Sequence, residues 1–341
     1  MIPAGVLIFG VIWLSLSWFV VSKTLMGRRL CQVSSKMVAE GTMRPEFLPF
    51  ARSDFLELPN IVVLVLRSVT VGPLFLTLAV VGLIACATAA AVVPKRYLNS
   101  AVRVISAYIC WACGLRVVEK GTRAPLSEAP CIVANHNSAF DILILLVKKC
   151  CFVSMDGVRL LPLIGKVAAA IGCIFVVREC KDSRASAKDA ITSRLSSQMS
   201  ATCDVTTSLV VFAEGSTNNG HYLLQFRRGA FEANVPVQPL RIEFADYHIN
   251  FTVISLSELV CFACTLPSRE ITLHWLPVIT PRPGSTPEQL ADQARTAIAK
   301  VPSAYGHPAM TLCDMSISHR NAIQAADYLR DVVTRTSTKS D

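Results

Sequence analysis

No dense Lys/Arg tract occurs anywhere in the 341 residues, although 33 Lys+Arg against 24 Asp+Glu leave a formal net charge of +9. A nucleic-acid partner needs such a tract or stripe, so no nucleic acid is expected. The two Cys-x-x-Cys pairs, Cys110/Cys113 and Cys261/Cys264, have no second pair at finger-like spacing, which argues against a zinc site. Gly-x-Ser-x-Gly is missing, and with it the nucleophile elbow of an α/β-hydrolase. An EF-hand loop pattern is also missing, so calcium is not implied. There is no internal repeat and no low-complexity stretch. The most informative absence is local: Met1–Ser22 and Ser68–Pro94 contain no charged side chain.

What fills the chain instead is apolar. Hydrophobic residues make up 52% of it and the mean hydropathy is +0.47, too high for an ordinary soluble enzyme. A helix over Met1–Ser22 would be about 33 Å long, enough to cross a hydrocarbon core of about 30 Å. No basic residue precedes this run and no small-x-small site follows it, so it reads as an uncleaved anchor, with Trp13 and Trp18 lipid-facing or interfacial. Gly72 and Pro73 are expected to break the start of the second run, leaving a helix over 73–93 whose Ala85, Ala87 and Ala89–Ala91 suit close helix packing. The segment between the runs, with Pro45, Pro49 and Pro59, reads mostly as loop. Its Lys23, Arg28, Arg29, Lys36, Arg44 and Arg52, together with Lys95 and Arg96 after the second run, would all be cytosolic by the positive-inside rule. A full crossing by the second run cannot satisfy that, so either it is re-entrant or interfacial or the rule fails here. Thirteen Cys, many inside apolar stretches, read as reduced and buried thiols.

After about residue 100 the pattern changes to short β-branched runs alternating with helical stretches. An apolar helix between Ser100 and Val118, with Arg103 and Arg116 near its ends, suits a membrane surface. Strands are expected at 131–134, 151–154, 171–177, 208–213, 235–243 and 270–279. Helices are expected at 139–149, 184–199 and 286–301, the last opened by a Ser-Thr-Pro-Glu signal. This predicts an α/β fold: a central, mostly parallel or mixed sheet flanked by helices and preceded by N-terminal membrane helices. The expected organisation is a membrane-anchoring region over 1–99, an α/β domain over 100–310 and a polar, loosely ordered tail over 311–341.

Four segments carry candidate chemistry. In Asn135-His136-Asn137-Ser138-Ala139-Phe140-Asp141 a histidine leaves an apolar strand, and a carboxylate five residues on can fold back onto its imidazole. Such a carboxylate fixes the tautomer and leaves the other nitrogen as a general base for a hydroxyl. Ser138-x-x-Asp141 equally resembles a capping box. In Gly172–Arg178 an arginine ends a strand, where its guanidinium suits a phosphate or a surface pair with Glu179 or Asp182. In Phe212-Ala213-Glu214-Gly215-Ser216-Thr217 a carboxylate and glycine follow a strand, so Glu214 could bind a hydroxyl or hold an arginine, or the segment is a simple turn. Arg227 and Arg228 add charge near the same edge or lie on a solvated face, before Val235-Pro236-Val237-Gln238-Pro239.

In order, these segments resemble the glycerolipid acyltransferase family, with its His-x4-Asp, Gly-x-Ile-Phe-x-x-Arg, Phe-x-Glu-Gly-Ser/Thr and Val-Pro-Val/Ile-x-Pro motifs, over roughly residues 100–300. The run from Phe212 through Phe231, Pro162-Leu163-Ile164-Gly165, and Val177-Arg178 with Asp182-Ser183-Arg184 look like the lysophosphatidylcholine and lysophosphatidylethanolamine acyltransferases. Ala213 departs from the family's usual proline, which alters turn stiffness. The resemblance implies His136 and Asp141 as the catalytic pair, and Gly172, Arg178, Glu214, Gly215, Ser216, Thr217 and Arg227 as acceptor-binding residues. It implies acyl-CoA as co-substrate, no cofactor or metal, a lysophospholipid acceptor, and a lipid bilayer as partner. The place implied is an endoplasmic reticulum membrane with the catalytic part facing the cytosol. Lysophosphatidic acid or glycerol 3-phosphate are alternative acceptors. A non-catalytic membrane adaptor, or a hydrolase using Ser138 or a Cys, are alternative functions.

Overall fold

The computed structural model describes residues 4–42, 61–161, 163–176, 181–198, 207–218, 220–245, 255–265 and 269–313, with 328 and 331. Two long helices come first, α1 (Ala4–Ala39) and α2 (Ile61–Val92). Both are long and apolar enough to cross a membrane, and each exposes large apolar side chains, among them Leu14 and Trp18 on α1 and Leu66 and Val81 on α2. Such surfaces are stable against hydrocarbon and not against water.

Both helices run further than their uncharged runs. Residues 23–39, expected as loop, continue α1, and α2 begins twelve residues before Pro73. A proline inside a helix cannot donate to the carbonyl four residues back, here Val69. That carbonyl is satisfied from the neighbouring helix: Trp13 Nε1 donates to it at 3.1 Å and Ser17 Oγ at 3.3 Å. The break expected at Pro73 is therefore absorbed by α1. The helices cross closely here, since a β-carbon on Gly72 would lie 2.8 Å from Val20.

Then come α3 (Lys95–Ala112), β1 (Leu115–Lys120), β2 (Cys131–Ala134), α4 (Phe140–Val147), β3 (Cys150–Met155), α5 (Asp156–Arg159), α6 (Ile164–Ala170), β4 (Ile174–Val176) and α7 (Lys181–Gln198). β5 (Ser208–Phe212), β6 (Tyr222–Leu224), β7 (Val237–Phe244), α8 (Leu256–Thr265), β8 (Arg269–Trp275), α9 (Pro287–Ala299) and β9 (Thr311–Cys313) complete the order. The expected surface helix thus ends at Ala112, because Gly114 takes a positive φ and 115–118 enter β1. Residues 171–173 are a turn before β4, for the same reason at Gly172. α9 starts on its sequence signal, with Thr286 and Gln289 forming a reciprocal capping box.

The sheet is mixed, in order β1-β8-β7-β2-β5-β3-β4. β7, β2, β5, β3 and β4 are mutually parallel, and β8 turns antiparallel to β7. β2 is buried throughout because both faces of the sheet are covered. Its pleat sends Ile132 and Ala134 into one core with residues of α2, α3, α4, α6 and α8, and Cys131 and Val133 into another with residues of α7 and α9. The long N-terminal helices therefore pack on one face only. β9 pairs with β6, so strand pairing extends past residue 310, where a polar tail is expected from the sequence. Residues 314–327, like Pro45, Pro49 and Pro59, lie outside the described residues.

Candidate active site

Parallel strands end on the same side of a sheet, and ligands bind at their carboxyl ends. β2 and β5 are neighbours, with Ala134 opposite Phe212, so both of their following loops emerge together. His136 is two residues beyond β2, and Glu214 two beyond β5.

His136 Nδ1 lies 2.9 Å from Asp141 Oδ2. The same oxygen accepts the backbone N–H of Asn137 at 2.7 Å and of Ser138 at 2.9 Å. The two readings of this segment are thus both partly realised. Asp141 reaches back to the N–H groups of the turn while it holds the imidazole; Ala139 occupies the N-cap position of α4 without a side-chain cap, and Ser138 Oγ accepts the N–H of Phe140 at 3.3 Å. With Nδ1–H donating to Asp141, the neutral ring offers Nε2 as an acceptor. Among the described residues Nε2 has no hydrogen-bond partner, and the side chain is 16% exposed. Its ring stacks on Phe212, centroids 4.0 Å apart, and Phe212 stacks on Phe152.

Glu214 is fully buried and does not face outward for a substrate hydroxyl. Its Oε1 accepts the N–H of His136 at 2.8 Å, and its Oε2 accepts the N–H of Leu224 at 2.9 Å and the amide of Asn218. Asn218 N–H in turn donates to the carbonyl of His136 at 2.9 Å. Both backbone groups of His136 are thereby tied to the loop after β5. Burial, the largest influence, pushes the Glu214 carboxyl up to about 8 against the N–H donors of Leu224, His136 and Asn218, and the neighbouring Asp141 adds to the rise.

Gly215, with φ +73°, turns directly beneath Arg227, where a β-carbon would collide with the guanidinium. Ser216 and Thr217 continue that turn, and Arg227 is exposed above it. Gly172 is not brought to this cluster. Ile174 is level with Val153, one residue past Phe152, which stands opposite Val210 and hence Ile132. Gly172 therefore belongs to the amino end of β4, where it closes α6 in a two-bond turn with Cys173 N–H on Ala168 O and its own N–H on Ala169 O. Arg178 lies outside the described residues.

Three residues at the site were given no role from the sequence. Asn135 clamps β2 to β7, donating to Ile242 O at 3.0 Å and accepting Ile242 N–H at 2.7 Å. Phe212 supplies the stacking floor, and Asn218 links the two loops. A polar residue directly after a buried strand is the one signal that marks Asn135.

Beside the pair is a cavity of about 360 Å³ with an almost wholly apolar wall. Ala139, Phe140 and Phe152 line it, so it adjoins the turn that carries His136 and Asp141. On its far side the wall comes from α2 and α3. The cysteines of both Cys-x-x-Cys pairs are buried free thiols, and among the described residues no group of three His, Cys, Asp or Glu is placed to hold a metal ion.

The Acyltransferase family model matches residues 116–243. Lysophospholipid acyltransferase LPEAT1 of Arabidopsis thaliana is 31% identical over 167 residues, covering 48% of this chain and 41% of that one. Lysophosphatidylcholine acyltransferase of Drosophila melanogaster is 31% identical over 186 residues, covering 50% of this chain and 34% of that one. The chain thus spans less than half the length of these curated relatives. A crystal structure of the 1-acyl-sn-glycerophosphate (LPA) acyltransferase from Thermotoga maritima overlays with a TM-score of 0.45 at 18% identity, covering 60% of this chain and 78% of that one. The matched residues 116–243 include the His136 and Glu214 loops and the hydrogen bond that joins them.

Proposed function

We propose that the protein is a membrane-bound, acyl-CoA-dependent O-acyltransferase that transfers a fatty acyl chain to a lysophospholipid of the phosphatidylcholine or phosphatidylethanolamine type. The observation that carries this is the His136–Asp141 pair, with Nε2 unpartnered among the described residues, on a turn that adjoins an apolar cavity of about 360 Å³. A polar base beside a hydrocarbon-sized space suits a reaction between a hydroxyl and an acyl thioester.

His136 Nε2 takes the proton of the acceptor hydroxyl as its oxygen attacks the thioester carbonyl. Asp141 stabilises the imidazolium that forms. The tetrahedral adduct then collapses, the C–S bond breaks, and the proton passes from His136 to the departing thiolate. The new ester and free CoA account for every atom, with no covalent enzyme intermediate and no metal or cofactor. General-base action of this kind contributes about 10²–10⁴-fold. Glu214 and Asn218 hold the His136 backbone, which fixes the ring's approach. The proposed anchor for the acceptor phosphate is Arg227 over Gly215, with Arg178 joining it on the family resemblance.

The proposed membrane is the endoplasmic reticulum, with the catalytic domain on the cytosolic side where acyl-CoA is made available. Protease protection of residues after 100 in sealed microsomes would overturn that orientation.

The test is transfer of labelled oleoyl-CoA by detergent-solubilised protein to lysophosphatidylcholine, lysophosphatidylethanolamine, lysophosphatidic acid and glycerol 3-phosphate, with His136→Ala alongside. Transfer to a lysophospholipid that is lost in the variant is expected. Folded wild type that acylates none of the four would overturn the reading in favour of a non-catalytic adaptor.

A further inference from the structure

Three residues both line the apolar cavity and lie open at the surface: Val80 of α2, 47% exposed, Leu161 between α5 and α6, 42%, and Leu256 at the head of α8, 44%. Every other lining residue is less exposed, so these three frame its opening. On its α2 side and beside Leu161 the opening is bordered by apolar surface. Val81 and Ile84 beside Val80, and Leu160 beside Leu161, are exposed aliphatics, and α2 carries no charge from Ser68 to its end. An aliphatic mouth inside an aliphatic surface is stable only where hydrocarbon covers it. α2 is also one of the two helices long and apolar enough to lie in a bilayer.

We infer that Val80, Leu161 and Leu256 frame a lateral port through which a lipid hydrocarbon chain passes between the bilayer and the cavity. This rests on the reading of α2 as membrane-embedded and of the cavity as an acyl-chain site. The occupant is a glycerophospholipid or lysophospholipid chain, because the port offers no polar group to anything else. The chain enters sideways while its headgroup stays at the interface, and the path from leaflet to the His136 turn stays dry. Tails longer than the cavity remain in the bilayer, so chain length is not capped by a closed wall.

The test uses the full chain in phosphatidylcholine vesicles doped with a phosphatidylcholine bearing a diazirine near the end of one acyl chain. After photolysis, adducts are mapped by peptide mass spectrometry. Adducts are expected on the exposed α2 residues Leu66 and Leu74, on Leu161, and on the buried wall residues Ile109 and Val167, which hydrocarbon reaches only through the port. Leu161→Trp should abolish the adducts on Ile109 and Val167 while those on Leu66 and Leu74 persist, which also shows that the variant is folded and embedded. Val80→Trp, from α2, should do the same. Labelled Leu66 and Leu74 with Ile109 and Val167 unlabelled in the wild type would overturn the port, as would interior labelling that survives both variants. Labelling requires no turnover. A chain that labels inside but transfers no acyl group overturns the acyltransferase reading alone, and an active chain that does not label inside overturns the port alone.

Discussion

Among the described residues, two histidine–carboxylate pairs have the same length. His136 and Asp141 meet at 2.9 Å beyond the end of β2, and His274 and Glu243 meet at 2.9 Å in the middle of the sheet. Their surroundings differ. Arg241 stands opposite His274 across the β7–β8 pair, and Glu243 is on the same face as Arg241 two residues on. Glu243 also accepts from Arg241 at 3.1 Å and from the N–H of Ala304 at 2.9 Å, which fastens the chain after α9 to the sheet. His274 is 8% exposed and is not among the residues that line the apolar cavity. His136 keeps a nitrogen open at a strand end, next to the cavity, on a loop held by Glu214 and Asn218. A short distance from a carboxylate therefore does not make a base. What sets His136 apart is its position past a strand end, with a nitrogen that has no partner among the described residues and a cavity adjoining its turn.

The sharpest way to break the comparison is to remove each histidine. His136→Ala should lower acyl transfer by about 10²–10⁴-fold in protein that still unfolds cooperatively, as measured on the detergent-solubilised protein. His274→Ala should leave turnover within about threefold while costing about 1–3 kcal/mol of stability, because Glu243 loses a buried donor. Equal loss of activity in the two variants would abolish the distinction.

Asp141→Asn should follow His136→Ala in size. It keeps the shape but presents no charge to the imidazolium and permits the wrong tautomer, an effect worth up to about 10⁴-fold in comparable triads. A fall in kcat with KM unchanged is expected.

The carboxylates of the two regions should also respond oppositely to pH. Burial alone would raise Glu243, but the hydrogen bond from His274, with Ala304, Ser303 and Arg241 behind it, holds it at about 2. Its stabilising contribution is present above the ordinary value of 4.5 and is lost as pH falls toward 2. Glu214, raised to about 8, contributes stability that is complete below 4.5 and is lost as pH rises through 8. Melting temperatures of wild type, Glu243→Gln and Glu214→Gln across pH 3–9 should show the acid slope missing only in the first variant and the alkaline slope missing only in the second.

The smallest effect concerns α1 and α2. Trp13→Phe should cost about 1 kcal/mol, because Val69 O loses a donor that Pro73 cannot supply. In a Pro73→Ala background the cost should disappear, since the backbone N–H that the substitution introduces then serves that carbonyl.

Much of the candidate site was legible before any fold was known. A histidine leaving an apolar strand with an aspartate five residues on can be read directly, because both partners are local and a short turn decides their meeting. The α/β class was legible for the same reason: Ile132, Val133, Val210 and Val211 announce buried strands by composition. Glu214 was legible as a residue but not in its role. Its partners are the N–H groups of His136 and Leu224, 78 and 10 positions away, and only strand pairing brings them together. Pro73 misled for the same reason, since the side chains that rescue Val69 O come from another helix.

The sequence by itself determined which residues could act as acid, base and anchor, which stretches are too apolar for water, and that the domain is an α/β sheet. These follow from residue type and from contacts within a few positions. Only the tertiary structure decided that Glu214 braces and does not bind, that Gly172 closes a helix at the far end of its strand, that one of two matching histidine pairs keeps a nitrogen without a partner among the described residues, and that residues of α2 wall the cavity beside it. Each depends on which distant segments the sheet order makes neighbours, and hydrogen-bond donors, burial and open space are properties of neighbours.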